Sequence, residues 1–287
     1  MVNAKANSHN PRTAKNRKPS RSPSPESQVP VVILCGGMGT RLREETEYRP
    51  KPLVEIGGRP IVWHIMKLYS HFGFNHFVLC LGYKGHMIKE YFLNYRLMSS
   101  DFTLSMEAPD KPRFHSANEH ENWTIIFADT GLEANTGARV KRVERYLQGD
   151  HFMLTYGDGV ADLDIRRLWE FHSRHGRIGT VTGVRPISRY GELTLNGSLI
   201  KEFNEKPPAP EGFVSGGFFV LQRRFLDYLN PDDSCVLERQ PLEQLSHEKQ
   251  LVGYTHTGFW HCMDTYRDFV FLNELWKKGA PWKIWGQ

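Results

Sequence analysis

Residues 31–52 read VVILCGGMGTRLREETEYRPKP, and the reading of this stretch decides the fold class. Val31, Val32, Ile33 and Leu34 form a short, mostly β-branched apolar run without polar alternation. That is the pattern of a strand buried on both faces of a parallel sheet. The run enters Gly36, Gly37 and Gly39, then Thr40 and Arg41, and a little further on Lys51 stands between Pro50 and Pro52. Glycines at the carboxyl end of a buried strand let backbone N–H groups approach a ligand without Cβ interference. The adjacent arginine and lysine carry charge suited to a polyphosphate. The stretch is therefore expected to cradle a triphosphate. It does not fit GxGxxG, because Leu42 occupies the third glycine's place, and it lacks the GxxxxGK[ST] spacing of a P-loop.

Outward from this stretch, Pro60 to Phe72 has apolar residues at helical spacing and Gly73 ends it. His76–Leu81 is expected to be the next buried strand, followed by a helix over Met87–Tyr95. Residues 99–122 read as irregular, or at most as a hairpin. Further strands are expected at Trp123–Phe127, His151–Tyr156 and Gly179–Val184, with helices over Ala138–Leu147 and Ile165–His175. Alternating strands and helices predict parallel strands with right-handed crossovers. Residues 186–221 read as antiparallel hairpins turning at Asn196-Gly197. Short helices at Phe225–Leu229 and Pro241–Ser246, a strand at Leu251–Thr255, a tight element at Gly258–Cys262 and a helix over Tyr266–Lys278 close the chain. The expected fold class is α/β, a Rossmann-like doubly wound mixed sheet with an added small antiparallel β region.

At 287 residues, with 39% apolar and 24% charged residues, the chain has the composition of a globular enzyme. The net charge of +5 is concentrated at the N-terminus: Lys5, Arg12, Lys15, Arg17, Lys18 and Arg21 precede the first acidic residue. The body is close to neutral, so a nucleic-acid footprint is not expected. Residues 1–28, rich in Pro, Ser, Asn, Lys and Arg, are expected to be a disordered tail, and residues 29–287 a single domain. The four cysteines, Cys35, Cys80, Cys235 and Cys262, show no CxxC or zinc-finger spacing, which suits a reducing cytoplasm. No apolar run approaches membrane-span length, so no membrane partner is expected. The thirteen histidines contain no HExxH, and no Ser/His/Asp or Cys/His nucleophile set stands out. Asp158, between two glycines at the end of a strand, is equally a hard metal ligand in the ligand crevice of an open sheet or a turn-forming residue. Asp264 reads on its own as a helix N-cap.

The segment LCGGMGTRLREETEYRPKPLVEIGGRPIVWHI (34–65) resembles the signature of the sugar-1-phosphate nucleotidylyltransferases, roughly GGxGTRL followed by KP. DTGLEANTGARVKRV (129–143), YGDGVADLDI (156–165), EKP (205–207), SGGFFVL (215–221), LERQPLEQL (237–245), GFWHCMDTYRD (258–268) and APWKIW (280–285) extend the resemblance from about Val31 to the C-terminus. They are most similar to the branch that joins CTP to glucose 1-phosphate. The resemblance implies a glycosyltransferase-A-type nucleotidyltransferase fold, Mg²⁺ held by Asp158 and Asp264, and a homo-oligomer. It implies Arg41 and Lys51 as the catalytic cations and a nucleotide site built from Leu34, Cys35, Gly36, Gly37, Met38, Gly39, Thr40, Arg41, Lys51, Arg139 and Gly157. Glu205 and Lys206 would meet the sugar phosphate, and elements from 186 onward would supply sugar and subunit contacts. Ala138 stands where most relatives carry glycine. Two rivals remain on this reading: a sister enzyme using UTP or dTTP, and a non-catalytic sugar-nucleotide-binding subunit. Phe259, Trp260, Trp282 and Trp285 read equally as a sugar pocket or as packed core.

Overall fold

The computed structural model describes residues 28–115, 121–185, 192–204 and 212–286. The basic tail through residue 27, together with Glu205 and Lys206, lies outside the described residues. In chain order the elements are β1 (Pro30–Cys35), α1 (Arg43–Thr46), β2 (Glu55–Ile56), β3 (Arg59–Pro60), α2 (Ile61–His71), β4 (His76–Leu81), α3 (Gly85–Leu93) and α4 (Tyr95–Ser99). They continue as β5 (Phe102–Thr103), β6 (Arg113–Phe114), β7 (Thr124–Asp129), α5 (Thr136–Arg142), β8 (His151–Tyr156), β9 (Gly159–Ala161), α6 (Ile165–His175) and β10 (Gly179–Val184). Last come β11 (Glu192–Asn196), β12 (Leu199–Asn204), β13 (Val214–Gln222), α7 (Gln240–His247), β14 (Leu251–His256), β15 (Trp260–Cys262) and α8 (Tyr266–Lys277).

Seven strands form the main sheet in the order β14-β10-β13-β8-β1-β4-β7. β1 pairs in parallel with β4 and β8, β4 with β7, and β10 with β14, whereas β13 runs antiparallel between β8 and β10. The expected mixed doubly wound sheet is present. Val31, Ile33 and Cys35 pack into one buried cluster with α2 and the C-terminal helix, while Val32 packs into the other with α5 and α7. The unalternating apolar run of β1 thus serves two layers.

Several elements differ from the sequence reading: β2, β3 and β9 are not among the expected strands, and the helix expected at Phe225–Leu229 is a 3₁₀ helix over Arg223–Tyr228. The helix expected over Met87–Tyr95 breaks at Asn94 into α3 and α4, and the helix expected over Ala138–Leu147 ends at Arg142, continuing as a 3₁₀ turn at Glu144–Tyr146. Gly216–Leu221, expected among the antiparallel hairpins of residues 186–221, belongs to β13 in the centre of the main sheet; of the described residues in that span, β11 and β12 form a separate two-stranded hairpin. The short-range pattern of a strand carries no information about which sheet recruits it. Trp282 is 1% exposed and stacks on Phe259, and Trp285 packs edge-on to Trp63. These aromatics are core.

Candidate active site

β1 and β8 lie side by side while the chain leaves β1 for β4 on its other flank, so the sheet order switches direction between them. Ligands of open α/β sheets bind at such a point, beyond the carboxyl ends of the strands. A cavity of about 350 Å³ opens there, walled by Leu34–Gly37, Gly39–Arg41, Lys51, Pro52, Ala134–Thr136, Arg139 and Tyr156–Asp158. All the residues expected to bind nucleotide line it except Met38, whose side chain is exposed.

The glycine turn is built by local chemistry. Gly39 adopts the left-handed region at φ 64°, which glycine occupies without strain. Its carbonyl accepts from Leu42 N at 2.9 Å and from Thr46 Oγ1 at 3.0 Å, fixing the return of the chain. Gly36 has a different reason for lacking a side chain: a Cβ there would stand 2.1 Å from Arg139 Nη1. Gly37 faces open space: a Cβ there would meet nothing within 4 Å. Arg139 is 4% exposed. Its Nη1 donates to Leu81 O, Thr130 Oγ1 and Gly131 O, and its Nη2 to Gly36 O and Leu132 O. The guanidinium therefore ties the glycine turn to the ends of β4 and β7, forming part of the cavity wall.

The two aspartates meet across 106 residues of chain because β9 and β15 pair antiparallel, Gly159 opposite Cys262. Met263 N donates to Asp158 O at 2.9 Å, which locks the two loops together. Asp264 sits just before the N-cap of α8: Thr265 is the cap, in a reciprocal capping box with Asp268. Asp268 Oδ2 also accepts from Asp264 N at 3.0 Å, so the box orients the loop that carries the carboxylate. Lys51, on a 3₁₀ turn that Pro50 and Pro52 pre-set, inserts its ammonium between the carboxylates, 2.6 Å from Asp158 Oδ2 and 2.8 Å from Asp264 Oδ1. Arg41 Nη1 reaches Asp264 Oδ2 at 3.2 Å with its side chain 74% exposed at the cavity edge. Neither cation pairs with Glu44 or Glu45, the neighbours in sequence.

Burial pulls the Lys51 pKa down, but the charge and hydrogen bond of Asp158 outweigh it and the net shift is upward. Burial likewise works to raise Asp264, and the hydrogen bond and charge of Lys51, with Arg41, bring it below the usual carboxylate range. Lys51 and Asp264 thus hold each other in their charged forms. Cys262 joins them: one donor atom each from Asp158, Cys262 and Asp264 lie within 4.8 Å of one another. Two hard carboxylates converging on a single cation position fit Mg²⁺. Burial, reinforced by Asp158, pushes the Cys262 thiol well up.

Sequence reasoning missed another part of the cavity wall. Tyr156 and Thr136 line the cavity and both donate to the carboxylate of Glu238, Tyr156 through its hydroxyl and Thr136 Oγ1 at 2.7 Å. Glu238 lies in a quoted motif, but nothing in its spacing marks it as a partner of residues 82 and 102 positions away.

A glycine cradle at the switch point, facing two lysine-bridged carboxylates, defines the site of an α/β enzyme. The nucleotidyl transferase family model matches residues 30–274, and the chain belongs to that family. It is 48% identical over 257 residues to the glucose-1-phosphate cytidylyltransferase of Salmonella typhimurium, covering 89% of this chain and 99% of that one. It is 28% identical over 260 residues to the mannose-1-phosphate guanyltransferase of Saccharomyces cerevisiae, covering 86% of this chain and 66% of that one. Among solved structures, a UDP-glucose pyrophosphorylase complexed with UDP-glucose shares the fold at TM-score 0.61 and 14% identity, covering 87% of this chain and 98% of that one. HddC from Yersinia pseudotuberculosis, complexed with GMP-PN, shares it at TM-score 0.59 and 21% identity, over 86% and 99% of the two chains.

Proposed function

We propose that this chain transfers the cytidylyl group of CTP to glucose 1-phosphate, giving CDP-glucose and pyrophosphate. The observation that carries the transfer reaction is the convergence of Lys51 on Asp158 and Asp264 at the mouth of the glycine cradle. The choice of CTP and glucose 1-phosphate rests on the cytidylyltransferase at 48% identity over nearly its whole length.

The sugar-phosphate oxygen is already anionic, so no general base or covalent nucleophile is needed. It forms a bond to the α-phosphorus as the bond from that phosphorus to the bridging oxygen breaks, and pyrophosphate leaves. The protein's part is alignment and neutralisation of spreading charge. Backbone at Gly37 and Gly39 receives the phosphates. Arg41 clamps the triphosphate from the rim, and Lys51 exchanges its carboxylate partners for phosphate oxygens near the reacting centre. Asp158 and Asp264 would hold Mg²⁺, which supplies charge neutralisation to the phosphates when bound. Arg139 shapes the nucleotide wall, and Glu205 and Lys206 are assigned to the sugar phosphate.

Residues 29–287 are assigned to one nucleotidyltransferase domain, with the N-terminal tail outside it. Exposed Leu199, Ile200 and Phe203 on the β12 strand support a homo-oligomer contact from this region. All four cysteines are free thiols, which supports the cytoplasm as the working compartment. Among the described residues no helix is long and apolar enough to cross a membrane.

A panel of CTP, UTP, dTTP, ATP and GTP with glucose 1-phosphate, read by pyrophosphate release, tests the reading. CTP is expected to support turnover; release with UTP and none with CTP would replace it with the sister activity. Asp158→Ala is expected to abolish turnover, and unchanged turnover would return the chain to a non-catalytic role.

A further inference from the structure

Cys262 has no part in the transfer chemistry just derived, yet its side chain points into the centre of it. The β9–β15 ribbon sets Cys262 directly opposite Gly159, one residue beyond Asp158 and two before Asp264. Its sulfur and one oxygen from each carboxylate lie within 4.8 Å of one another. Two ligand atoms on opposite sides of one divalent cation are separated by roughly twice the 2.0–2.3 Å of a metal–oxygen or metal–sulfur bond, so this spread lies close to that of a shared coordination sphere. Cys262 is half-buried and is not paired with another cysteine. The remaining thiols, Cys35, Cys80 and Cys235, are buried in the strands and beneath α5, and none falls within a cluster of metal-binding groups among the described residues.

We propose that Cys262 is a third donor to the cation held by Asp158 and Asp264, making this a mixed sulfur–oxygen site that prefers thiophilic divalent cations such as Zn²⁺ or Cd²⁺ to Mg²⁺. The inference rests on the assignment of those two aspartates as metal ligands. The chemistry follows from ligand type: carboxylate and water suit Mg²⁺, whereas a thiolate selects softer ions. On binding, the Cys262 thiol gives its proton to solvent and a sulfur–metal bond forms. Lys51 yields its place between the carboxylates, and no electron transfer is involved. The consequence for the enzyme is that traces of a thiophilic ion compete with Mg²⁺ at the reacting centre.

The test uses the full-length protein and Cd²⁺ as the probe. Ultraviolet titration is expected to show a thiolate-to-cadmium charge-transfer band saturating at one equivalent, and ¹¹³Cd resonance a shift belonging to mixed sulfur–oxygen ligation. In Cys262→Ser the band is expected to vanish and Cd²⁺ affinity to fall roughly tenfold or more. Asp158→Asn is expected to weaken the titration while leaving a sulfur contribution. No band in the unaltered protein, an all-oxygen ¹¹³Cd shift, or a band that survives in Cys262→Ser would each overturn the proposal. The resonance needs no variant, so it decides the question even if Cys262→Ser fails to fold. Mg²⁺-dependent pyrophosphate release from CTP and glucose 1-phosphate is measured on the same preparation. Turnover without the sulfur signature overturns this inference and leaves the transferase reading standing; the sulfur signature without turnover does the reverse.

Discussion

Arg139 and Lys51 are both cations on the cavity wall, and the structure gives them different work. Arg139 spends its planar fork on four carbonyls and a hydroxyl. Lysine cannot reproduce that geometry. Arg139→Lys is expected to leave two or more buried carbonyls without donors, at about 1–3 kcal/mol each, read as a lower urea midpoint together with a higher KM for CTP. Gly36→Ala drives a Cβ into the same guanidinium and is expected to mimic it. Lys51 makes its bonds to Asp158 and Asp264; on the proposed mechanism Lys51→Met is expected to lower kcat roughly 10²–10³-fold, the scale set by removing one preorganised charge-stabilising donor. A steady-state rate with the urea midpoint as control separates the two behaviours. The glycines, Arg41 and Lys51 were legible in the sequence because they sit in one short segment with recognisable spacing. The occupation of Arg139 by backbone was not, because its partners lie on three other segments.

At the scale of elements, α8 and the β9–β15 ribbon bring Asp264 to Asp158. Thr265 caps α8, and Asp268 returns hydrogen bonds to the backbone of Thr265 and Asp264. Thr265→Ala is expected to cost about 1 kcal/mol of stability, measured by denaturation. Asp268→Ala removes the acceptor that orients Asp264, and a fall in activity of roughly 10–100-fold at unchanged KM for glucose 1-phosphate is expected, as for groups that orient a metal ligand. Restored activity in Asp268→Glu would identify the effect as positioning. The N-cap reading of Asp264 from sequence was one residue off: the cap is Thr265, which frees the aspartate to face the site. Helix periodicity located α8 well, but Asn94 and the 3₁₀ turn after Arg142 show where apolar spacing continues past the end of a regular helix.

For the whole molecule, a buried histidine ties the C-terminus to the core. His64 is 1% exposed. Its Nε2 donates to Ile56 O at 2.9 Å, and its Nδ1 accepts from Trp282 Nε1 at 3.4 Å, so the ring is held neutral. Burial lowers its pKa from 6.5 to about 4. As pH falls below 6.5 the unfolded chain takes up the proton first, so stability is complete above that value and is lost on acidification toward pH 4. The urea-derived free energy is expected to fall by about 2 kcal/mol between about pH 7.5 and about pH 5 through this group, and by that much less in His64→Gln.

By itself the sequence determined the strand that enters the glycine turn, the alternating α/β order and the family to which the chain belongs. Those features are local: a run of apolar residues, a cluster of glycines and motif spacing are set by a few neighbouring residues. Only the tertiary structure decided that β13 enters the main sheet, that Gly36 makes room for Arg139, and that Lys51, Asp158, Cys262 and Asp264 share one point. Strand pairing and side-chain convergence are settled by packing between segments up to 213 residues apart, and no window of sequence contains both partners.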